Sequence, residues 1–339
     1  MKVNIEELNK VLKSLKIGLS GEKETTDQSN SLAFSNGTIC TYNDEISVIA
    51  PFDFDFEGVI SAKEFLSFVG RLKGSDITFE QKENELIVKS GRAKAGMKLD
   101  SEIRMPLSEI NIPKRWKKLP KLFLKALKET LFSTSSDMSI PILTTVHCIN
   151  GRLESTDNDR ATIWDTGEEL KMDFLIPTKA GRAIAQQSGI EKYNESDGWI
   201  HFKTKDNVIF SCRTFEGEYP DLSAHFDVEG ESITFPANIK EMLDKASVFL
   251  SADFEQDEIV TVSVTSKGLL KVGAEGDNAW FEESTRIKNA PGKDIIFSAN
   301  PTHLQQILST VNSAVVAEGK ILFEGENFQH IVALEVAAE

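Results

Sequence analysis

The sequence predicts an α+β fold made of three copies of one unit, each with two helices packed on antiparallel sheets. Two observations carry this expectation. Six helix candidates, 2–16, 61–74, 117–130, 177–192, 236–251 and 300–314, begin about 60 residues apart along the 339 residues. Short β-type runs with turn signals recur between them. SLAFSNGTICTY, GRLESTDNDRATIW and GLLKVGAEGDNAWF each follow the first helix of a pair, and each reads as a strand, a Gly/Asn/Asp turn and a second strand. ITFEQKENELIVKS, IHFKTKDNVIFSC and ILFEGENFQHIVAL follow the second helix and align with Phe79, Phe202 and Phe323 in equivalent places. Linkers carrying Pro106 and Pro113, and then Pro220, set the expected domains at 1–115, 116–230 and 231–339.

The elements follow from their patterns. In the first helix Ile5, Leu8, Leu12 and Leu15 form an apolar stripe, with Lys10 and Lys13 off it. In 61–74, Phe65, Leu66, Val69 and Leu72 face inward, leaving Lys63, Ser67 and Arg71. In 117–130, Lys118, Lys121, Lys125 and Lys128 fall three or four residues apart and so share one helix face, opposite Leu119, Leu122, Ala126 and Leu131. The fourth helix offers Lys179 and Arg182. In the fifth, Lys240 and Lys245 are offset by Glu241 and Asp244, and the sixth is uncharged. Two helices per unit among many strands suggest helices on one face of the sheets.

Charge separates these helices from the rest. The six candidates carry +10 between them in a chain of net charge -15, so the remainder carries -25. Lysine faces on selected helices of an acidic protein point to an anionic partner, with nucleic acid the first candidate. No run of 18 apolar residues predicts a membrane span, and MKVNIEELNK lacks the apolar core of a signal peptide. Cys40, Cys148 and Cys212 are few, odd in number and far apart, which suits a reducing cytoplasm. No CxxC or HExxH occurs, so no metal site or cofactor is expected.

At 132–164, the run FSTSSDMSIPILTTVHCINGRLESTDNDRATIW resembles the middle domain of beta-type bacterial sliding clamps, the processivity factors of replicative DNA polymerases. Pro141, Leu143 and Thr144 match the family's Pro-x-Leu-Thr, and Thr156, Asp157 and Arg160 its Thr-Asp-Gly-His-Arg-Leu turn. Gly217, Tyr219, Pro220 and Asp221 match a second run, and Ser90, Gly91 and Arg92 a first-domain strand. IIFSANPTHLQQIL matches in layout. Asp159 and Ala161 stand where the family has His and Leu, and the ending ALEVAAE lacks its Met-Pro. These departures suit a divergent version, bacterial or phage-encoded.

The resemblance implies the DNA-clamp fold, with two subunits closing head to tail into a ring around duplex DNA. It implies partners in double-stranded DNA, a DNA polymerase, a clamp loader and a second copy of the chain, in the cytoplasm at the nucleoid or in a phage host, and no catalysis. The expected DNA-facing residues are Lys10, Lys13, Lys63, Arg71, Lys118, Lys121, Lys125, Lys128, Lys179 and Arg182. Their contacts would be to the backbone and not to bases, because tight readout would hinder sliding. Thr156 and Arg160 would line a pocket for partner peptides, although TDNDR also reads as a plain turn. Met97, Phe249 and Leu250 would lie at the subunit interface or in the core.

Two other functions compete. A β-rich interaction scaffold without DNA would account for the repeats but not for the charged helices. Asp165-Thr166-Gly167 matches the aspartic-protease triplet but occurs once, which makes an aspartic hydrolase a remote alternative, and a plain turn after a strand explains it far better. DNDR opens like a calcium loop but lacks the glycine at the sixth position.

Overall fold

A computed structural model describes residues 1–21, 23–168, 170–250 and 258–335. The first repeat runs β1 (Lys2–Asn4), α1 (Ile5–Leu15), β2 (Ser31–Ser35), β3 (Thr38–Tyr42), β4 (Ile46–Pro51), β5 (Gly58–Ser61), α2 (Ala62–Val69), β6 (Asp76–Lys82), β7 (Glu85–Ser90) and β8 (Ala93–Lys98). The second runs β9 (Lys117–Lys118), α3 (Phe123–Thr130), β10 (Thr145–Ile149), β11 (Arg152–Thr156), β12 (Arg160–Asp165), β13 (Asp173–Pro177), α4 (Thr178–Ala185), β14 (Ile190–Ser196), β15 (Trp199–Thr204) and β16 (Ile209–Arg213). The third runs β17 (Glu231–Thr234), α5 (Ile239–Ser247), β18 (Val260–Val264), β19 (Leu269–Glu275), β20 (Trp280–Arg286), β21 (Ile295–Ala299), α6 (Pro301–Ile307), β22 (Ser313–Ala317), β23 (Lys320–Glu324) and β24 (Phe328–Ala333). Each copy is therefore strand, helix and three strands, twice over.

Within a repeat the two halves exchange their opening strands. β1 pairs with β6 of the other half, β5 with β2, β9 with β14, β17 with β22 and β21 with β18. Neither half completes its sheet alone. Neighbouring repeats then share sheets. β4 and β16 are antiparallel with Ile49 opposite Ile209, and β12 and β24 with Trp164 opposite Phe328.

The pairings divide the chain into two compact units, Met1–Leu124 with Phe174–Glu216, and Lys125–Asp173 with Gly217–Glu339. The middle repeat gives β14–β16 to the first unit and β10–β12 to the second. The first unit holds the four-stranded sheet β1-β6-β7-β8 and the eight-stranded sheet β5-β2-β3-β4-β16-β15-β14-β9. The second holds the run β10-β11-β12-β24-β23-β22-β17 and the sheet β20-β19-β18-β21.

The helices bury the stripes that the sequence sets out. In α1, Ile5, Leu8, Leu12 and Leu15 are buried, and the Asn4 side chain caps the helix by accepting from the Glu6 and Glu7 amides at 2.9 and 3.1 Å. In the first unit Phe34 sits among Phe54, Phe56 and Phe65, with ring centroids 4.9 to 6.2 Å away. In the second unit Ile239, Met242, Leu243 and Ala246 of α5 pack into one cluster with Leu304 and Ile307 of α6 and with Phe323.

Three expectations change. All six helices exist but are shorter: outer residues of three of them, in Lys2–Asn4, Ile190–Ser196 and Ser313–Ala317, lie in β1, β14 and β22, and α2 and α5 end early in turns. The largest change is at 117–130, where the helix begins at Phe123. Pro120 lacks an amide proton and disfavours helical geometry at Leu119, and the Phe123 amide donates to the Pro120 carbonyl in a turn at 3.1 Å. Lys118 therefore lies in β9 and Lys121 in the turn, and the helical face keeps only Lys125 and Lys128. Phe123, Ala126 and Leu127 form the buried side of α3, while Leu122 is half-buried.

The repeat alignment also slips by one strand. SLAFSNGTICTY forms β2–β3, whereas GRLESTDNDRATIW and GLLKVGAEGDNAWF form β11–β12 and β19–β20. The true counterpart of the turn at Asn36 and Gly37 is Asn150 and Gly151, all four at positive φ as this tight turn requires. Phe79 lies on β6, while Phe202 and Phe323 lie on β15 and β23, one strand later in their halves. All three are buried, so strands of equal length and pattern misled the alignment.

His201 gives a test of the first unit. It is fully buried between the Ser196 and Ser211 hydroxyls, each 2.8 Å away, and burial pushes its pKa down to about 4. An unfolded His takes up its proton near pH 6.5, so the folded form is favoured above that pH and loses stability as pH falls from 6.5 toward 4. Urea unfolding at pH 7 and pH 5 should show this residue accounting for about 2 kcal/mol of the difference. His201→Gln should shrink the difference by that amount; an unchanged difference contradicts it.

Candidate functional site

The TDNDR loop joins β11 to β12 in the second unit, and its shape comes from its own side chains. The Asp157 carboxylate accepts from the amides of Asp159 and Arg160 at 3.1 and 3.0 Å. Thr156 Oγ1 donates to the Arg160 carbonyl at 2.8 Å and accepts from the Asn158 amide at 3.1 Å. Asn158 sits at φ 80°, a conformation that Asn tolerates. The Thr156 amide donates to the Tyr219 hydroxyl at 3.0 Å, tying the loop to the segment that carries Pro220 and Asp221.

The loop holds Arg160 in place. Its Nε donates to Asp157 Oδ2 at 2.9 Å, its Nη1 to the Gln306 side chain, and its guanidinium lies 5.7 Å from the Phe132 ring centre. Burial lowers the Arg160 pKa, while Asp157 opposes that shift. Arg160 lies on the wall of a cleft of about 850 Å³, shared with Asp137, Ile140, Leu143, Asp159, His303 and Leu334. Leu143 and Leu334 give it an apolar base, while Asp137, Asp159 and Glu335 give it acidic edges.

Thr156 is buried and shapes the loop without lining the cleft. His303 and Asp137 escaped the sequence reading. His303 falls inside the matched run IIFSANPTHLQQIL, a signal that could have found it. Burial first, and then the Arg160 charge, push the His303 pKa down to about 4 and leave the ring neutral at pH 7. A site of this kind, concave, part apolar and with a few fixed polar groups, suits a short peptide.

The basic residues are exposed, but several are already engaged. Lys10 pairs with Asp206 at 2.7 Å and Lys179 with Glu45 at 2.9 Å. Arg71 donates to the Ser67 hydroxyl at 2.6 Å. Lys125 pairs with Glu129 at 4.0 Å and lies over Trp164. Lys13 and Lys63 project from α1 and α2, Lys128 from α3 and Arg182 from α4, with no ion pair among the described residues. Exposed pairs of this sort contribute little to stability and exchange readily for other partners.

Met97 is half-buried on β8, the last strand of its sheet. Phe249 stacks on Phe281 with ring centres 5.5 Å apart, and Phe249 and Leu250 both pack against the core of the second unit. Asp165 caps a turn by accepting from the Gly167 amide at 2.7 Å, with Gly167 at φ 73°. Among the described residues no group of three His, Cys, Asp or Glu could hold a metal ion, and no helix is long and apolar enough to cross a membrane.

The Asp157–Arg160 pair is testable, since removing one partner of a buried pair strands the other charge. Asp157→Ala should cost about 3 kcal/mol of stability in chemical denaturation. A loss below about 1 kcal/mol would mean that the guanidinium is solvated.

No protein-family model matches the chain. The beta sliding clamp of Streptococcus pneumoniae is 25% identical to it over 331 residues, 90% of this chain and 84% of the relative. The beta sliding clamp of Lactococcus lactis is 25% identical over 288 residues, 76% of this chain and 72% of that one. Among solved structures, the DNA polymerase III beta chain of S. pneumoniae superposes with a TM-score of 0.85 at 21% identity, covering 99% of both chains. The sliding clamp of Bacillus subtilis does so with a TM-score of 0.81 at 17% identity, again over 99% of both. Over nearly its whole length the chain is similar in sequence to beta sliding clamps and shares their fold.

Proposed function

We propose that the protein is a DNA sliding clamp that encircles duplex DNA and tethers a replicative DNA polymerase, acting without catalysis of its own. The observation that carries this reading is similarity to beta sliding clamps over 90% of the chain in sequence and 99% in fold. Three clamp domains, 1–115, 116–230 and 231–339, account for the three copies of the strand-helix-strand pattern. Exposed cations on α1 to α4 suit backbone contacts that hold duplex DNA without fixing a register. The third repeat contributes little charge, so the first two carry most of this work.

Two copies would close head to tail through sheet edges. β8 and β20 are both terminal strands, and such edges leave backbone groups ready to pair. β8 carries Lys94 and Lys98, and β20 carries Glu282 and Glu283 against Arg286, so the formal charges of the two strands differ in sign. Met97 lies on one of these strands, and Phe249 supports the other through Phe281. The cleft beside Arg160 would take a short linear segment of the polymerase or of the clamp loader. Asp137, Asp159 and Glu335 give this cleft its acidic edges. The setting would be the bacterial cytoplasm, or that of a phage host.

Processivity on primed circular DNA tests the function. A cognate polymerase with loader should extend long products only with the protein present, and unchanged product length would refute the reading. Sedimentation should give twice the 37.6 kDa chain mass. Leu250→Lys should weaken that dimer, and a purely monomeric wild type would refute the ring. A labelled polymerase-tail peptide should bind at least tenfold more weakly to Arg160→Ala, a loss of ~1.4 kcal/mol; unchanged affinity removes Arg160 from the site.

A further inference from the structure

The segment PKRWKK, residues 113–118, places Lys114, Arg115, Trp116, Lys117 and Lys118 together in an acidic chain. Its last two residues form β9, the outermost strand of the eight-stranded sheet. The register puts Lys118 opposite Lys192 of β14, and Lys192 opposite Lys203 of β15. Three lysines therefore lie side by side on adjacent strands, each about 5 Å from the next along the sheet, so the row spans about 10 Å.

Side chains alternate across a strand, and the other face of the same strands is fixed. Tyr193 and Phe202, the next pair in register, are fully buried, and Phe202 packs on Phe123 with ring centres 5.7 Å apart. The lysine row thus points away from the core that the helices cover, and it is a different surface from the helix faces. Lys203 is held over the Trp116 ring, 5.3 Å from its centre, which orients the ammonium and leaves its charge in place.

Like charges directly opposite one another in a sheet are unfavourable. Several lysines elsewhere in the chain are neutralised, as with Lys10, Lys179, Lys245 and Lys271. In this patch Lys114, Arg115, Lys118, Lys192 and Lys203 have no carboxylate within ion-pair distance among the described residues. The nearby Glu195 is 4.0 Å from Lys117, and Glu191 is bulged out of the register between Ile190 and Lys192. Five unneutralised cations in a chain of net charge -15 mark a place where the counter-charge comes from outside.

We propose that this face binds the phosphate backbone of a single nucleic-acid strand, outside the helix-borne surface assigned above to duplex DNA. Regularly spaced cations on a rigid sheet match a polyanion with evenly spaced charges, and salt-dependent, sequence-independent affinity follows. An acidic polypeptide fits less well. The β9 edge is two residues long and flanked by Pro113 and Pro120, so it offers too few backbone groups to add a peptide strand.

The test is fluorescence anisotropy of a labelled 30-nucleotide oligo-dT with the full chain, at salt concentrations from 50 to 200 mM. The wild type should bind at low salt. The triple variant Lys118→Gln, Lys192→Gln, Lys203→Gln should bind about tenfold more weakly, and its plot of log affinity against log salt should be shallower by about 2, as loss of three phosphate contacts implies. Lys13→Glu with Lys63→Glu, on the helices, should leave the affinity for this strand unchanged. The thermal midpoint of the triple variant should not fall, because the change relieves repulsion; if that variant does not fold, Lys203→Gln alone should show a partial loss. Absent binding by the wild type, equal affinity in the triple variant, or competition by poly-glutamate at equal charge concentration would each overturn the proposal.

Discussion

The exchange of opening strands between the halves of each repeat is the constraint on which the rest of the structure depends. A three-stranded half has an open edge, and β1, β5, β9, β17 and β21 each close the edge of the other half. Strands further along extend the sheets from one repeat to the next through β4 with β16 and β12 with β24. The helices then need only one apolar stripe each, and their other faces are free to carry charge. Each sheet still ends in two terminal strands, and β8 and β20 are among them. A terminal strand leaves backbone groups with which another chain can pair.

The same economy explains the division of labour by charge. Acidic residues outnumber basic ones over the chain, whereas α1, α2, α5 and α6 are balanced in formal charge, α3 and α4 carry a small positive excess, and further cations lie on the sheet around Trp116. Long-range repulsion keeps polyanions off most of the surface, and local cation clusters act within about a Debye length, roughly 8 Å at physiological salt. An acidic protein with basic faces can in this way hold nucleic acid where it is wanted and nowhere else. The cleft beside Arg160 works by another principle: a buried ion pair fixes one wall, and apolar residues supply the base.

Much of the fold could be read in the sequence because helix periodicity is local. The α1 stripe of Ile5, Leu8, Leu12 and Leu15 needs no tertiary knowledge, and all six helices were visible. Strand equivalence was not, since strands of similar length and pattern follow one another and nothing local numbers them. This is why Phe79 was matched with Phe202 one strand out of place. The lysine face at 117–130 is cut short for a simpler reason: Pro120 interrupts the helical period that the spacing of Lys118 and Lys121 continues. Arg160 was legible through the turn residues around it, whereas His303 and Asp137 come from other parts of the second unit, and only folding brings them to one cleft. The Lys118–Lys192–Lys203 row likewise depends on a strand register that no spacing in the sequence reveals.

Topological linkage to DNA separates a closed ring from a protein held by electrostatic contacts alone. The most direct measurement loads the protein onto nicked circular DNA, removes free protein by gel filtration, and then linearises half of the sample. A closed ring should stay with the circle at moderate salt and slide off the linear form. Equal retention on both, or equal loss from both, would contradict encirclement and leave only ordinary electrostatic binding.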